Sequence, residues 1–285
     1  MARHIGGDLP RRTVSYGHAL ARLALGPSVR RIRREVQWHL RGIDFREVRE
    51  TQPLAFLVAE HQTPLTRSLP GLDRTLQLNK VVNLRLAASR LDGVVLLPGR
   101  RLSFWREVGR PSRRRGFLEG MVLERGRIAA GVGGGLCQMT NLLYWMTLHT
   151  PLLVAERWRH SYDVFPDTQR AQPFGSGATC AWPMLDLQIE NSTQVPYRLS
   201  VKLTDTHLVG SWSASRPQLQ EYRIEERAHR ITHEGPGVYV RHNELWRVQY
   251  DTAALATDEE LVAENRALMM YQPFLPPILH VDVGS

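Results

Sequence analysis

Gly131-Val-Gly-Gly-Gly-Leu-Cys137-Gln-Met-Thr-Asn-Leu-Leu-Tyr-Trp-Met-Thr-Leu148 is a glycine cluster running directly into an apolar helical stretch. If the glycine run ends where the helix begins, Cys137 stands in the first helical turn. The unpaired N–H groups and the dipole of a helix start favour a thiolate there. Gly133, Gly134 and Gly135 permit close backbone approach, so a substrate carbonyl can lie against those N–H groups in oxyanion-hole geometry. Gln138 adds an amide donor beside the thiol.

A thiol nucleophile needs a base. His160 follows one helix and one strand later, at the end of a strand expected over Leu152–Trp158. Asp186 lies on a strand expected over Met184–Glu190, where it can orient the imidazole. Asp163, three residues after His160, is a rival orienting residue. Cys on a helix start, then His, then a carboxylate on strands is the order of papain-like and transglutaminase-like thiol enzymes. Each residue also has a plain structural reading. A helical cysteine is often a small buried hydrophobe, the chain has 11 histidines, and Asp186 alone reads as a turn or salt-bridge residue. Cys180 reads as structural, with a redox partnership to Cys137 or metal ligation as its alternatives. A Cys137/His160/Cys180 zinc site lacks the paired ligand spacings of such sites, so neither metal nor cofactor is expected.

Outward from this segment the pattern is α+β. Residues 14–42 read as two basic helices split at Gly26-Pro27, with Ile32, Val36, Leu40 and Ile43 at helical spacing. Leu54–Val58 reads as a short strand, Asp73–Arg90 as an amphipathic helix, and Val94–Leu97 as a strand stopped by Pro98-Gly99. Met121–Glu124 and Arg127–Ala130 form a hairpin around Arg125-Gly126. After the Cys137 helix come strands over Tyr197–Leu203 and Leu208–Trp212. Further strands are expected near 222–226, 237–241 and 245–249, the last two joined by a turn at His242-Asn243. Thr257-Asp-Glu-Glu260 spells a capping box and predicts a helix near 258–271. The expected architecture is N-terminal helices followed by a mainly antiparallel sheet, with the Cys-bearing helix preceding His- and Asp-bearing strands. Three regions are expected: a basic helical 1–70, a core over 71–215, and β-hairpins plus a helix over 216–285, packed on that core.

The chain has 285 residues, 42% hydrophobic and 23% charged, ordinary globular usage. Its two cysteines cannot build a disulfide framework, and no apolar run reaches the roughly 18 residues that span a bilayer. The net charge of +9 is unevenly divided. Residues 1–135 hold 25 basic and 11 acidic residues, and residues 136–285 hold 12 and 17. Arg110, Arg113 and Arg114 precede the hairpin that leads to Cys137, and guanidinium groups there suit carboxylates and phosphates. The N-terminus lacks the charge-then-apolar order of a signal peptide. The chain is therefore expected to be cytoplasmic, at most peripheral to a membrane. An anionic membrane surface is a minor expectation for residues 11–49. Nucleic acid is not expected, because no aromatic or glycine-rich binding pattern accompanies the arginines.

Several stretches together resemble the VanW family. They are Leu97-Pro-Gly-Arg-Arg-Leu-Ser-Phe-Trp105, Val108-Gly109, Gly116-Phe117, Gly133-Gly-Gly-Leu-Cys-Gln138, Glu156-Arg157, His160-Ser161, Leu185-Asp186 and Asn191. The resemblance covers roughly residues 75–213 by motif, and the Gly-Gly-Gly-x-Cys-Gln core is specific. Larger exported relatives are linked to peptidoglycan, and some are regarded as L,D-transpeptidases using the motif cysteine. The resemblance thus implies Cys137 as nucleophile and His160 as base, with Ser161 in the motif beside it. The expected function is a cysteine-dependent acyl or peptidyl transferase, or an amidase, acting on a peptidoglycan-related peptide or precursor. The alternative is a non-catalytic binding protein for an acidic cell-wall precursor or glycopeptide-related ligand.

Overall fold

A computed structural model describes residues 27–40, 48–49, 54–66, 73–124, 127–164, 172–271 and 273, and every structural statement below concerns these residues. Contacts divide the chain into two units, Met1–Gly42 and Ile43–Ser285. In the first, helix α1 (Pro27–Leu40) begins with proline, whose missing N–H costs nothing at a helix start. Arg31 and Glu35 form an i,i+4 ion pair at 2.8 Å. Val29, Ile32 and Val36 are exposed. The helix expected before Gly26-Pro27 lies outside the described residues.

The second unit is α+β and mostly antiparallel. Strands β1 (Val48–Arg49), β2 (Phe56–Pro64) and β3 (Val94–Leu96) precede the helical region, with α2 (Arg74–Leu91) between β2 and β3. Asp73 caps α2 by accepting the Thr75 N–H at 2.7 Å. β4 (Arg101–Ser103) leads into the short helix α3 (Phe104–Val108), and β5 (Glu119–Glu124) with β6 (Arg127–Val132) makes the expected hairpin. Helix α4 (Cys137–Leu148) follows, then β7 (Leu153–Glu156), β8 (Tyr162–Asp163), β9 (Gln188–Glu190), β10 (Tyr197–Leu203) and β11 (His207–Ala214). One antiparallel sheet runs β1-β3-β10-β11-β2, and a small one runs β4-β9-β7.

Helix α4 is buried on most of its surface, with Met139, Leu142, Leu143, Tyr144, Met146 and Leu148 inside, the expectation for a helix that is apolar all round. It lies on β11 at Gly210, where an added Cβ would meet the Met146 and Leu142 side chains within 2.9 Å. The Trp212 indole N–H donates to the Thr147 hydroxyl on the same contact. The sheet therefore fixes the depth and direction of the helix that carries Cys137.

The C-terminal part corrects two expectations. It is a sheet of long strands, β12 (Glu221–Gly235), β13 (Val238–Tyr250) and β14 (Ala256–Met269), with β8 added parallel to β14. The helix expected near 258–271 is strand β14. Alanine, glutamate and leucine favour a helix locally, but Ala263, Asn265, Ala267 and Met269 are buried while Glu264 and Arg266 are exposed, a period of two. The turn begins earlier, at Asp251, whose carboxylate accepts the N–H groups of Ala253 and Leu255. The turn expected at His242-Asn243 is the middle of β13. Asn243 points inward, accepts from the Asn265 amide and donates to the Phe174 carbonyl. A residue type that favours turns here closes a buried amide network instead.

Two shorter corrections bear on the site. β7 ends at Glu156, so His160 lies in the connection to β8 rather than on a strand. Asp186 lies just before β9, between that strand and the Ala181–Leu185 bridge, also outside a strand.

The strand assignment for 256–269 predicts opposite outcomes at neighbouring positions. Ala263→Asp, opposite Leu245 of β13, places an unpaired charge in the core and is expected to cost several kcal/mol. Glu264→Lys on the exposed face is expected to change stability by less than about 0.5 kcal/mol. Thermal denaturation followed by circular dichroism checks both.

Candidate functional site

The turn before Cys137 is shaped by what presses on it. Gly133 and Gly135 have φ of +81° and +91°, a region that favours glycine. A Cβ on Gly134 would lie 2.1 Å from the Gly120 carbonyl of β5, and one on Gly135 would lie 2.1 Å from the Lys80 side chain of α2. The three glycines therefore let a hairpin and a helix close on the turn from two sides. Asn83 of α2, fully buried, ties these parts together. Its amide donates to the carbonyls of Gly134 (2.9 Å) and Leu118 (3.0 Å), and its oxygen accepts the Leu118 N–H.

Cys137 is the first residue of α4 and is half-buried. The segment carrying Cys180 lies along the helix start, held by Thr140 Oγ1 donating to the Ala178 carbonyl at 2.5 Å and by the Ala178 N–H donating to Asn141 Oδ1 at 2.7 Å. The Cys137 Sγ lies 3.6 Å from the Cys180 carbonyl and 3.9 Å from the Cys180 Sγ. The His160 imidazole stands close enough to the Cys137 thiol to lower its pKa.

These neighbours separate the two thiols. Donation from the Cys180 thiol holds Cys137 well below the ordinary thiol range; burial opposes this, and the nearby His160 imidazole adds to it. Cys180 is pushed well above that range, first by burial and then by the Cys137 sulfur beside it. Of the pair, Cys137 is the thiol shifted toward the thiolate and Cys180 the one shifted toward the protonated form.

His160 is positioned by main-chain bonds on either side. The Trp158 carbonyl accepts the Thr179 N–H at 2.7 Å, and the Ser161 carbonyl accepts the Leu268 N–H of β14 at 2.9 Å. Arg159 donates to the Arg266 carbonyl.

The carboxylates have other described partners. Asp186, fully buried, accepts from Ser103 Oγ at 2.5 Å, the Trp105 N–H at 3.0 Å and the Gln188 amide at 3.2 Å. It anchors the start of α3 and raises Cys180 electrostatically. Asp163 accepts from the Tyr271 hydroxyl and pairs with Arg241 at 3.4 Å. No carboxylate contact to His160 is among the described hydrogen bonds. The Gln138 amide donates to Thr63 Oγ1 at 2.9 Å and the Pro64 carbonyl at 2.8 Å, fastening α4 to the end of β2.

Arg110, Arg113 and Arg114 are exposed on a loop that meets the glycine turn at Pro111, 2.6 Å from where a Gly133 Cβ would stand. Arg113 pairs with Glu119, and Arg115 holds the loop by donating to the Val108 and Arg110 carbonyls. Among the described residues, no group of three or more His, Cys, Asp or Glu is arranged to hold a metal, so Cys137, His160 and Cys180 do not assemble as one. A cleft of about 580 Å³ lined by Trp145, His149 and Tyr222 lies elsewhere. Trp145 is eight residues along α4 from Cys137, about 12 Å at helical rise.

Sequence reasoning passed over Asn83, Thr140 and Asn141. Their only signal was a polar side chain within an otherwise apolar helical pattern. Sequence reasoning read Cys180 first as structural and gave a partnership with Cys137 only as an alternative, whereas the two sulfurs adjoin.

The family described as VanW like protein matches residues 79–213, which contain the glycine turn, both cysteines, His160 and Asp186. The Vancomycin B-type resistance protein VanW of Enterococcus faecalis (strain ATCC 700802 / V583) is 32% identical over 222 residues, covering 76% of this chain and 79% of that protein. The Uncharacterized protein YoaR of Bacillus subtilis (strain 168) is 28% identical over 120 residues, 42% of this chain and 38% of that protein. No solved structure matches the chain. Similarity of this extent to the Enterococcus protein, with the family match centred on the thiol site, shows that the chain belongs to the VanW family.

Proposed function

We propose that this chain is a cysteine-dependent acyl or peptidyl transferase, or an amidase, acting on peptidoglycan-related peptides. One observation carries the reading: a half-buried thiol at a helix start, held below the ordinary thiol range by the Cys180 thiol and, to a smaller extent, by the His160 imidazole beside it. That pairing is what nucleophilic catalysis by sulfur requires.

In this reading the Cys137 thiolate attacks the amide carbonyl carbon. His160 gives its proton to the leaving amine, and an acyl thioester remains. An amine acceptor completes a transfer and water completes a hydrolysis, with His160 taking the proton from either. The Gln138 N–H is engaged by the Gly135 carbonyl at 3.0 Å. The N–H groups of Leu136 and Cys137 are therefore the proposed oxyanion donors, reinforced by the helix dipole. The main-chain bonds around His160 orient it, and Asp186 acts more remotely, through Cys180 and the start of α3. The exposed arginines beside the glycine turn suit the carboxylates of a wall peptide or the phosphates of a nucleotide-linked precursor. The similarity to a protein named for vancomycin resistance supports a wall-related substrate.

A second reading, non-catalytic binding of an acidic precursor, is favoured by one feature. The Gln138 amide and the Asp186 carboxylate are engaged in holding the fold.

The pairing predicts the order of thiol reactivity. Because the thiolate is the reacting form and Cys137 is shifted down, its alkylation by iodoacetamide is expected to switch on at a lower pH in the native chain than in the unfolded one. Cys180, shifted up and buried, is expected to stay unreactive through neutrality. Peptide mapping against pH reads both, and a Cys137 no faster than its unfolded counterpart near neutral pH rejects the catalytic reading.

Turnover separates the two readings. Cys137→Ala is expected to abolish release of amine from muramyl peptides, and His160→Ala to lower it by about 100- to 10,000-fold. If no turnover is seen with the native chain while calorimetry shows that Cys137→Ala binds the peptide as tightly, binding is the function.

A further inference from the structure

The geometry points to a modification site distinct from peptide chemistry: Cys137 and Cys180 form a dithiol that a hydroperoxide converts reversibly to an intramolecular disulfide. Their sulfurs are 3.9 Å apart, and a disulfide bond is about 2 Å long, so closure needs a shift of about 2 Å. The hydrogen bonds from Thr140 and to Asn141 hold the Cys180 segment against the start of α4, which keeps the sulfurs adjacent. Cys137 is the more accessible and Cys180 the buried member. That asymmetry suits a thiol that meets the oxidant and a second thiol that resolves the product.

The chemistry balances in two steps. The Cys137 thiolate attacks one oxygen of the hydroperoxide; an S–O bond forms and the O–O bond breaks. Cys137 becomes a sulfenic acid, and the peroxide leaves as an alcohol or as water once protonated. The Cys180 sulfur then attacks the sulfenic sulfur. An S–S bond forms, the S–O bond breaks, and the thiol proton leaves with the oxygen as water. Two sulfurs are each oxidised by one electron, and the peroxide oxygens are reduced. The unequal thiols fit the order of events, since the lowered member attacks first. A dithiol reductant reverses the bond by exchange. Under the proposed catalytic reading, the oxidised form lacks its nucleophile, so oxidation silences the site reversibly. The crosslink itself does not depend on that reading.

The test uses the full reduced chain, freed of reductant and exposed to hydrogen peroxide without substrate. It is then denatured and alkylated with N-ethylmaleimide. Intact mass and peptide mapping are expected to show a species two hydrogens lighter, both thiols lost in parallel, and a linked Cys137–Cys180 peptide pair that dithiothreitol releases. In Cys180→Ser, dimedone is expected to capture a persistent Cys137 sulfenic acid that the native chain does not accumulate. The inference is overturned if the native chain stops at a Cys137 sulfenic or sulfinic acid with Cys180 still alkylatable, or if the only disulfide joins two chains. The native measurement decides the matter even if Cys180→Ser fails to fold. A chain that forms the crosslink but turns over no peptide fails only the catalytic reading.

Discussion

The backbone-to-backbone approach of Gly134 and Gly120 is the constraint on which the thiol site depends. A side chain on Gly134 would enter the Gly120 carbonyl, so the β5–β6 hairpin meets the turn only because neither residue carries one there. Asn83 then replaces water for the turn, satisfying the buried Gly134 carbonyl and bonding both backbone groups of Leu118 at the edge of the core. A buried polar backbone group left unpaired costs about 1–3 kcal/mol. This one amide therefore both stabilises the turn and specifies its path. With the path set, α4 begins at Cys137 and its dipole points at the sulfur.

The second half of the site comes from a distant part of the chain. The long β12–β13–β14 sheet reaches back through β8 and through Arg247, which donates to the Thr150 and Leu152 carbonyls beyond the end of α4. The Ser161 carbonyl on the β7–β8 connection accepts the Leu268 N–H of β14, and the Asp163 carbonyl of β8 accepts the N–H of Met270 just past it. An extended loop is a poor place for a fixed imidazole unless its backbone is held, and here strand pairing holds it. The C-terminal sheet thus bears on the site without contributing the sulfur or the imidazole.

Charge and chemistry divide differently from the sequence totals. Four arginines lie at the approach to the glycine turn, and two of them have structural bonds: Arg113 to Glu119, and Arg115 to two carbonyls. At the thiol itself the dominant influence is local. One cysteine donates to another, and the buried donor bears the opposing shift. A neighbouring thiol, rather than a carboxylate, has the largest effect on Cys137.

The sequence by itself determined the parts governed by neighbours along the chain. Helix α2, the 119–132 hairpin, β10 and the helix opening at Cys137 follow from turn residues and apolar period, which are properties of a few consecutive residues. The family was legible for the same reason, since its motifs are short and ordered. Tertiary structure decided what depends on partners far away. Residues 256–269 have the composition of a helix, yet pairing with β13 draws them into a strand. Asn243 and Asn265 are polar residues, yet both are buried and the Asn265 amide donates to the Asn243 oxygen. Asp186 was legible as a carboxylate near the site, but its hydrogen bonds to Ser103 and Trp105 arise only when residues some eighty positions apart meet. The nearness of Cys137 and Cys180 has the same origin, because residues 43 positions apart carry no pattern that encodes a contact of 3.9 Å.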